Sequence, residues 1–245
     1  MTPEWIQLQD LVTAHRGVET FSPEMVADRP DAVQRYFTTA IEPGTPLAQG
    51  VRLAMRGSIK IGWWLPFRAR QLLVPRLGTV WEARVAGVMS GSDRFVAGTG
   101  GMDWKLVSLL RLVHAEGDDV TRSAAERAAG ESIWVPTALV RGASWSQPAG
   151  ERIAVEVDTD GHAVVLEHQV DGAGRLRSSS FQRWGDPDDT GTWGLHPFGV
   201  EVTSNRTFGG VTIPDRGRAG WHYGTDRWDD GVFFRYEITS YELLA

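Results

Sequence analysis

The sequence predicts an α+β fold in which an antiparallel β-sheet walls a cavity and a few helices pack at one side. Three observations carry this. Two long stretches, Val51–Val113 and Arg152–Leu243, alternate apolar and polar residues with period 2, the mark of strands with one buried face. A single alanine-rich helical stretch separates them, with no linker, repeat or low-complexity tract, so one continuous sheet and one domain are expected. Eleven tryptophans and no cysteine occur in 245 residues, mostly inside or beside strand-like segments. Each ring offers a large rigid face and one N–H that wants a partner when buried. Small barrels fill well with Val, Leu and Ile, so this many rings suggests a wall around a cavity.

The elements follow in order. Pro3 to Ala14 reads as an amphipathic helix with Trp5, Ile6, Leu8, Leu11 and Val12 apolar. Ser22-Pro23-Glu24 has the form of an N-cap followed by proline at the first helical position. Asp31–Ile41 is a short helix stopped by Glu42-Pro43-Gly44-Thr45-Pro46. Strands then follow through Val51, Leu53 and Met55, through Trp81, Ala83 and Val85, through Asp93–Ala97, and from Met102 onward. Ser123-Ala124-Ala125-Glu126 matches a capping box opening the central helix, placed at Thr121–Ser132, and Pro136 prevents its continuation. Beyond it come strands at Arg152–Asp158, His162–Val170, Arg175–Trp184, Phe198–Thr207, Ala219–Gly224 and Val232–Leu243. Asp158–Gly161 and Asp171–Gly174 read as hairpin turns, and Gly185–Gly194 as the longest loop.

Composition bounds the function. A net charge of −6 with pI near 5.5, spread along the chain, argues against nucleic-acid and anionic-membrane partners. The absence of cysteine excludes disulfides, thiolate metal sites and cysteine nucleophiles. Met1–Arg16 lacks the basic and apolar regions of a signal peptide, and no stretch approaches the ~18–20 apolar residues of a spanning helix. A soluble cytoplasmic protein is the expectation, binding a hydrophobic small molecule without metal or nucleotide cofactor. Gly98-Thr99-Gly100-Gly101 lacks the Lys-Ser/Thr and the following helix of a phosphate loop. No Gly-x-Ser-x-Gly elbow, His-Glu-x-x-His or calcium loop is present. The oligomeric state is not legible.

Several motifs fall in a recognisable order: Pro30 with Arg35-Tyr36, Trp64-Leu65-Pro66-Phe67-Arg68-Ala69, and Glu131 with Pro136-Thr137-Ala138-Leu139. Trp81-Glu82-Ala83, the glycines around Met102, Trp145, Arg183, and Ile213-Pro214 with Trp221 extend the set. Together they resemble a bacterial family of domains of unknown function. The resemblance implies a strongly curved antiparallel sheet, half-barrel or barrel-like, with helices filling its open side, similar to periplasmic lipoprotein carriers. Many such relatives carry an N-terminal membrane segment, and none is expected here.

Glu131 is the candidate acid or base. It follows Arg127 by four residues and precedes a helix break beside Trp134, where a carboxylate near an indole can serve as a general acid. The alternative is a structural ion pair tying helix to sheet. Arg183, on an alternating face with Arg175, Arg177, Ser179 and Phe181, can bind a carboxylate or enolate oxygen, pair with Glu131, or be a solvated strand residue. Asp93 and Asp103 flank the Gly98–Gly101 turn and can place carboxylates at a cavity mouth or merely stabilise the turn. His162 and His168 share a strand face but stand roughly 20 Å apart, too far for one metal. Trp64, Trp81, Met102, Trp104 and Trp145 are the set expected toward the cavity. The leading expectation is a cofactor-independent cyclase or isomerase, with Glu131, Arg183 and Asp93 handling protons and oxygens. The alternatives are a non-catalytic carrier of lipid or another hydrophobic ligand, and a structural or partner-binding domain.

Overall fold

The computed structural model describes residues 2–13, 19–106 and 110–244. Thirteen strands form one antiparallel sheet in the order β6-β5-β4-β3-β2-β1-β13-β12-β11-β10-β9-β8-β7. At its centre β1 (Gly50–Ile61) pairs with β13 (Val232–Leu244). One arm continues through β2 (Trp63–Val74), β3 (Gly78–Val85), β4 (Met89–Val96), β5 (Thr99–Leu106) and β6 (Leu110–Glu116). The other runs through β12 (Val211–Trp221), β11 (Gly194–Phe208), β10 (Leu176–Gly185), β9 (His162–Val170), β8 (Arg152–Thr159) and β7 (Ser144–Ala149). The sheet is not closed: β6 and β7 are its two edges. Both halves of the alternating pattern therefore lie in one sheet. Strands dominate, so the α+β description holds only loosely. β7 is absent from the strands expected above.

Helix α3 (Asp118–Gly130) reveals the curvature. It touches β4 and β5 on one arm and β8, β9 and β10 on the other. In a flat sheet β5 and β10 would lie about 38 Å apart at the usual strand spacing, whereas a helix with its side chains is about 10–12 Å across. The arms must curl around the helix to meet it. The β2–β3 turn of one arm also meets the β8–β9 turn of the other, through Asp160 N–H to the Arg76 carbonyl and Thr159 Oγ1–H to the Pro75 carbonyl.

Local chemistry explains the elements, with three corrections. α3 starts earlier than the capping box suggests: Gly117, at φ 120°, precedes it, Asp118 and Asp119 occupy its positive first turn, and Ser123 lies mid-helix. Ser22 makes no side-chain cap, and the segment after it is only a short 3-10 turn, Pro23–Val26. The helices do not share one side. α1 (Pro3–Thr13) lies on the outer face, where Trp5 and Leu8 pack with Leu72, Val74, Val80 and Val96. That covers β2 and β3 on both faces, which a period-2 pattern cannot signal. Ala14 and the side chains of Leu11 and Val12 lie outside the described residues. α2 (Asp31–Ala40) presents Tyr36 and Phe37 to the inner core, and a single turn, α4 (Trp228–Gly231), precedes β13. The 158–161 hairpin turns through Asp160 and Gly161 at φ 51° and 89°, with the Asp158 carboxylate accepting from Gly161 N–H.

Candidate functional site

Register pairing fixes the inner face of the first arm. Gln71 sits opposite Trp81, Trp81 opposite Asp93, and Asp93 opposite Met102, so the four form a row across β2–β5. α3 lies over this row and presents Val120, Ser123, Ala124, Arg127 and Gly130, which share a helix face by their spacing of three and four. The second arm and the central strands supply Phe181, Arg183, Phe198, Trp221, Phe234 and Tyr236, and the loop after β10 supplies Trp193. Between them lies a cavity of about 270 Å³ with a mainly apolar wall. Gly130 permits the approach of α3, since a Cβ there would stand 2.6 Å from the Phe181 ring.

A polar chain runs along one side of the wall. Arg127 donates from Nε to Glu131 Oε1 at 2.8 Å and from Nη1 to Asp93 Oδ2 at 2.7 Å. The second oxygen of each acid is also taken: Gln71 Nε2 donates to Glu131 Oε2 at 2.5 Å, and Trp104 Nε1 to Asp93 Oδ1 at 2.9 Å. Arg127 further lies over the Trp81 ring, 5.3 Å from its centroid. Burial alone would lower its pKa, but the two carboxylates reverse this and raise it above the ordinary arginine value. Arg127 and Glu131 pair within the helical segment, as the i, i+4 spacing offered, while Asp93 on β4 and Gln71 on β2 connect them to the sheet.

Arg183 behaves differently. It makes no ion pair among the described residues and reaches only the Ser123 carbonyl and hydroxyl, both at a long 3.3 Å from Nη2. Its guanidinium lies over Phe198 at 4.8 Å and Trp221 at 5.1 Å. Its Nε is buried without a hydrogen-bond partner. Burial first, then repulsion from Arg127, lowers its pKa to about 10 against the attraction of Glu131, Glu126 and Asp93. It is neither the contact partner of Glu131 nor a solvated strand residue. Nor does it share a face with Arg177: a register shift between Leu176 and Ser178 turns Arg177 outward, where it and Arg175 bind Asp171, while Ser179, Phe181 and Arg183 point inward.

Of the five side chains expected toward the cavity, Trp81 and Met102 line it and three do not. Trp64 is on the outer face, stacked with Arg235 at 4.1 Å, because its position is out of phase with inward Phe67. Trp104 faces inward but is buried, with its ring over Gly91 and 5.8 Å from Trp81. Trp145 packs on Tyr36 and Phe37 at 5.5 and 5.1 Å and donates to the Leu139 carbonyl. Trp134, Trp193 and Trp221 take these places on the wall. Trp134 was legible only as the neighbour of Glu131, and Trp221 only through the family motifs. Asp103 points away from the cavity into an outer depression. Buried His168 bonds Ser179 at 3.0 Å, and burial lowers its pKa to about 4.

The sequence profile of a family of unknown function, DUF6544, matches residues 19–234. The chain belongs to that family. Among solved structures, this DUF6544 member is similar to a domain named for outer membrane lipoprotein sorting, from Vibrio parahaemolyticus. That likeness has 10% identity and a TM-score of 0.45, and it covers 90% of this chain and 91% of the other. It is also similar to a LolA-superfamily protein from Nitrosomonas europaea, at 9% identity and a TM-score of 0.46, over 86% and 91% of the two chains. No curated protein matches the sequence. Among the described residues, no helix is long and apolar enough to cross a membrane.

Proposed function

We propose that this DUF6544 member holds a hydrophobic small molecule in the cavity between its sheet and α3 and carries it unchanged. The cavity carries the reading: its wall is mainly aromatic and aliphatic, and its volume stands near the lower end of the ~300–1,000 Å³ common for small-molecule sites. Each oxygen of the Asp93 and Glu131 carboxylates already accepts a hydrogen bond, from Arg127, Gln71 or Trp104. This favours carriage over acid–base work, which needs an oxygen free to exchange a proton with substrate.

Native mass spectrometry of protein purified from its own host tests this, with titration of stripped protein by the neutral dye Nile red. Carriage expects a retained small mass and saturable dye binding that the extracted molecule displaces. Absence of both refutes it. The presence of Asp93, Glu131 and Arg183 in the lining of one cavity favours a second reading, a cofactor-independent cyclase or isomerase. It expects the extracted molecule to be chemically changed by wild-type protein and about 10²–10⁴-fold more slowly by Glu131→Gln. Under carriage, Glu131→Gln lowers the melting temperature and leaves ligand retention intact.

A further inference from the structure

We propose that the ligand is an amphiphile with one negative charge on an oxyanion head of the carboxylate kind, and that Arg183 receives this head while the apolar wall receives the tail. The inference rests on the hydrophobic-ligand reading and names the ligand's class. Three arginines line the cavity, and two are satisfied: Arg127 by Asp93 and Glu131, and Arg94 by Glu116. Arg183 is the third, with no carboxylate in contact among the described residues.

The surroundings of Arg183 define what is missing. Its guanidinium carbon lies over Phe198 and Trp221, and neither ring supplies a lone-pair acceptor for its N–H donors. Those donors lie in the plane of the group. Nη2 has only the two long contacts with Ser123, and buried Nε has none. A planar oxyanion supplies in-plane acceptors and the missing charge together. A dianionic head fits less well, because Asp93 and Glu131 line the same cavity and repel a second charge. Beside the guanidinium the wall turns apolar through Phe181, Val200 and Phe234, which suits an alkyl or polycyclic tail.

The test titrates ligand-free protein, followed by tryptophan fluorescence, with a long-chain alkanoate, the alcohol of equal chain length and the matching alkyl phosphate, all below their micellar concentrations. Wild type is expected to bind the alkanoate at least about tenfold more tightly than the alcohol and more tightly than the phosphate. Arg183→Met should erase the preference over alcohol while keeping alcohol affinity within about threefold, and Arg183→Lys should retain part of it. Circular dichroism checks that each variant folds, and the wild-type series stands without them. Equal binding of alkanoate and alcohol by wild type overturns the proposal and leaves carriage standing. A preference that survives Arg183→Met, or tighter binding of the phosphate, does the same. If no member of the series binds, the proposal falls, and Nile red titration of the same protein decides whether the carrier reading stands.

Discussion

Arg127→Met removes the one cation that two wall carboxylates share. Breaking a buried ion pair from one side costs about 3–5 kcal/mol, because the abandoned charge stays in a poor solvent. The side chains of Arg127, Asp93 and Glu131 keep 21%, 19% and 15% exposure, and the acids retain their Trp104 and Gln71 donors. Both facts place the expected loss at the low end, about 3 kcal/mol. For a chain of this length that lowers the melting temperature by about 6–12 °C. Adding Asp93→Asn and Glu131→Gln to Arg127→Met should restore most of the loss, since no unpaired charge is then buried. Differential scanning calorimetry of ligand-free protein at neutral pH measures all three forms. A loss below about 1 kcal/mol for the single variant, or a triple variant no more stable than it, would refute the assignment of this cluster as the tie between α3 and the sheet.

Three further outcomes are expected. Gly100→Ala places a Cβ 2.5 Å from Thr121 Cα and 2.9 Å from the Val120 carbonyl, so urea unfolding should show a loss of about 1–3 kcal/mol from displacing α3; unchanged stability would mean that α3 does not rest on β5 there. For His168, burial lowers the folded-state pKa to about 4 from 6.5, so the unfolded chain takes up its proton first as the solution is acidified. Its contribution is complete above pH 6.5 and about 3 kcal/mol is lost by pH 4, read as a fall of that size in the stability of wild type relative to His168→Asn; parallel pH curves would count against it. Arg183→Met should raise the melting temperature of ligand-free protein, because it removes a cation that burial disfavours; a fall would show that the cation–aromatic contacts outweigh the desolvation.

The inner row Gln71–Trp81–Asp93–Met102 follows period-2 alternation, through which the inward phase of Trp81 and Met102 was legible, whereas Asp93 was read only as a flank of the Gly98–Gly101 turn. The i, i+4 relation of Arg127 and Glu131 was equally legible, because helical geometry imposes it locally. Trp64 was misplaced because a lone aromatic does not announce its face. Its phase becomes clear only relative to Phe67 and the register with β1. The facing wall, Phe198, Trp221 and Phe234, joins the site only because the arms curl around α3, and no local pattern encodes that approach. Arg177 was mistaken for a neighbour of Arg183 because a single-residue bulge resets the alternation without leaving a trace in polarity.

The central β1–β13 seam has a consequence for the chain's synthesis. Arg52 and Glu242, 190 positions apart, are direct partners in it. While a ribosome is still making residues 232–244, β1 and β12 each present a long unpaired edge at what will become the middle of the sheet. The first arm can zip from hairpin to hairpin as it emerges, and so can most of the second. Their union waits for the final strand, a contact of high sequence separation that loop closure makes slow. A nascent chain that stalls before β13 thus exposes two unpaired edges and an unclosed aromatic wall, features that favour aggregation.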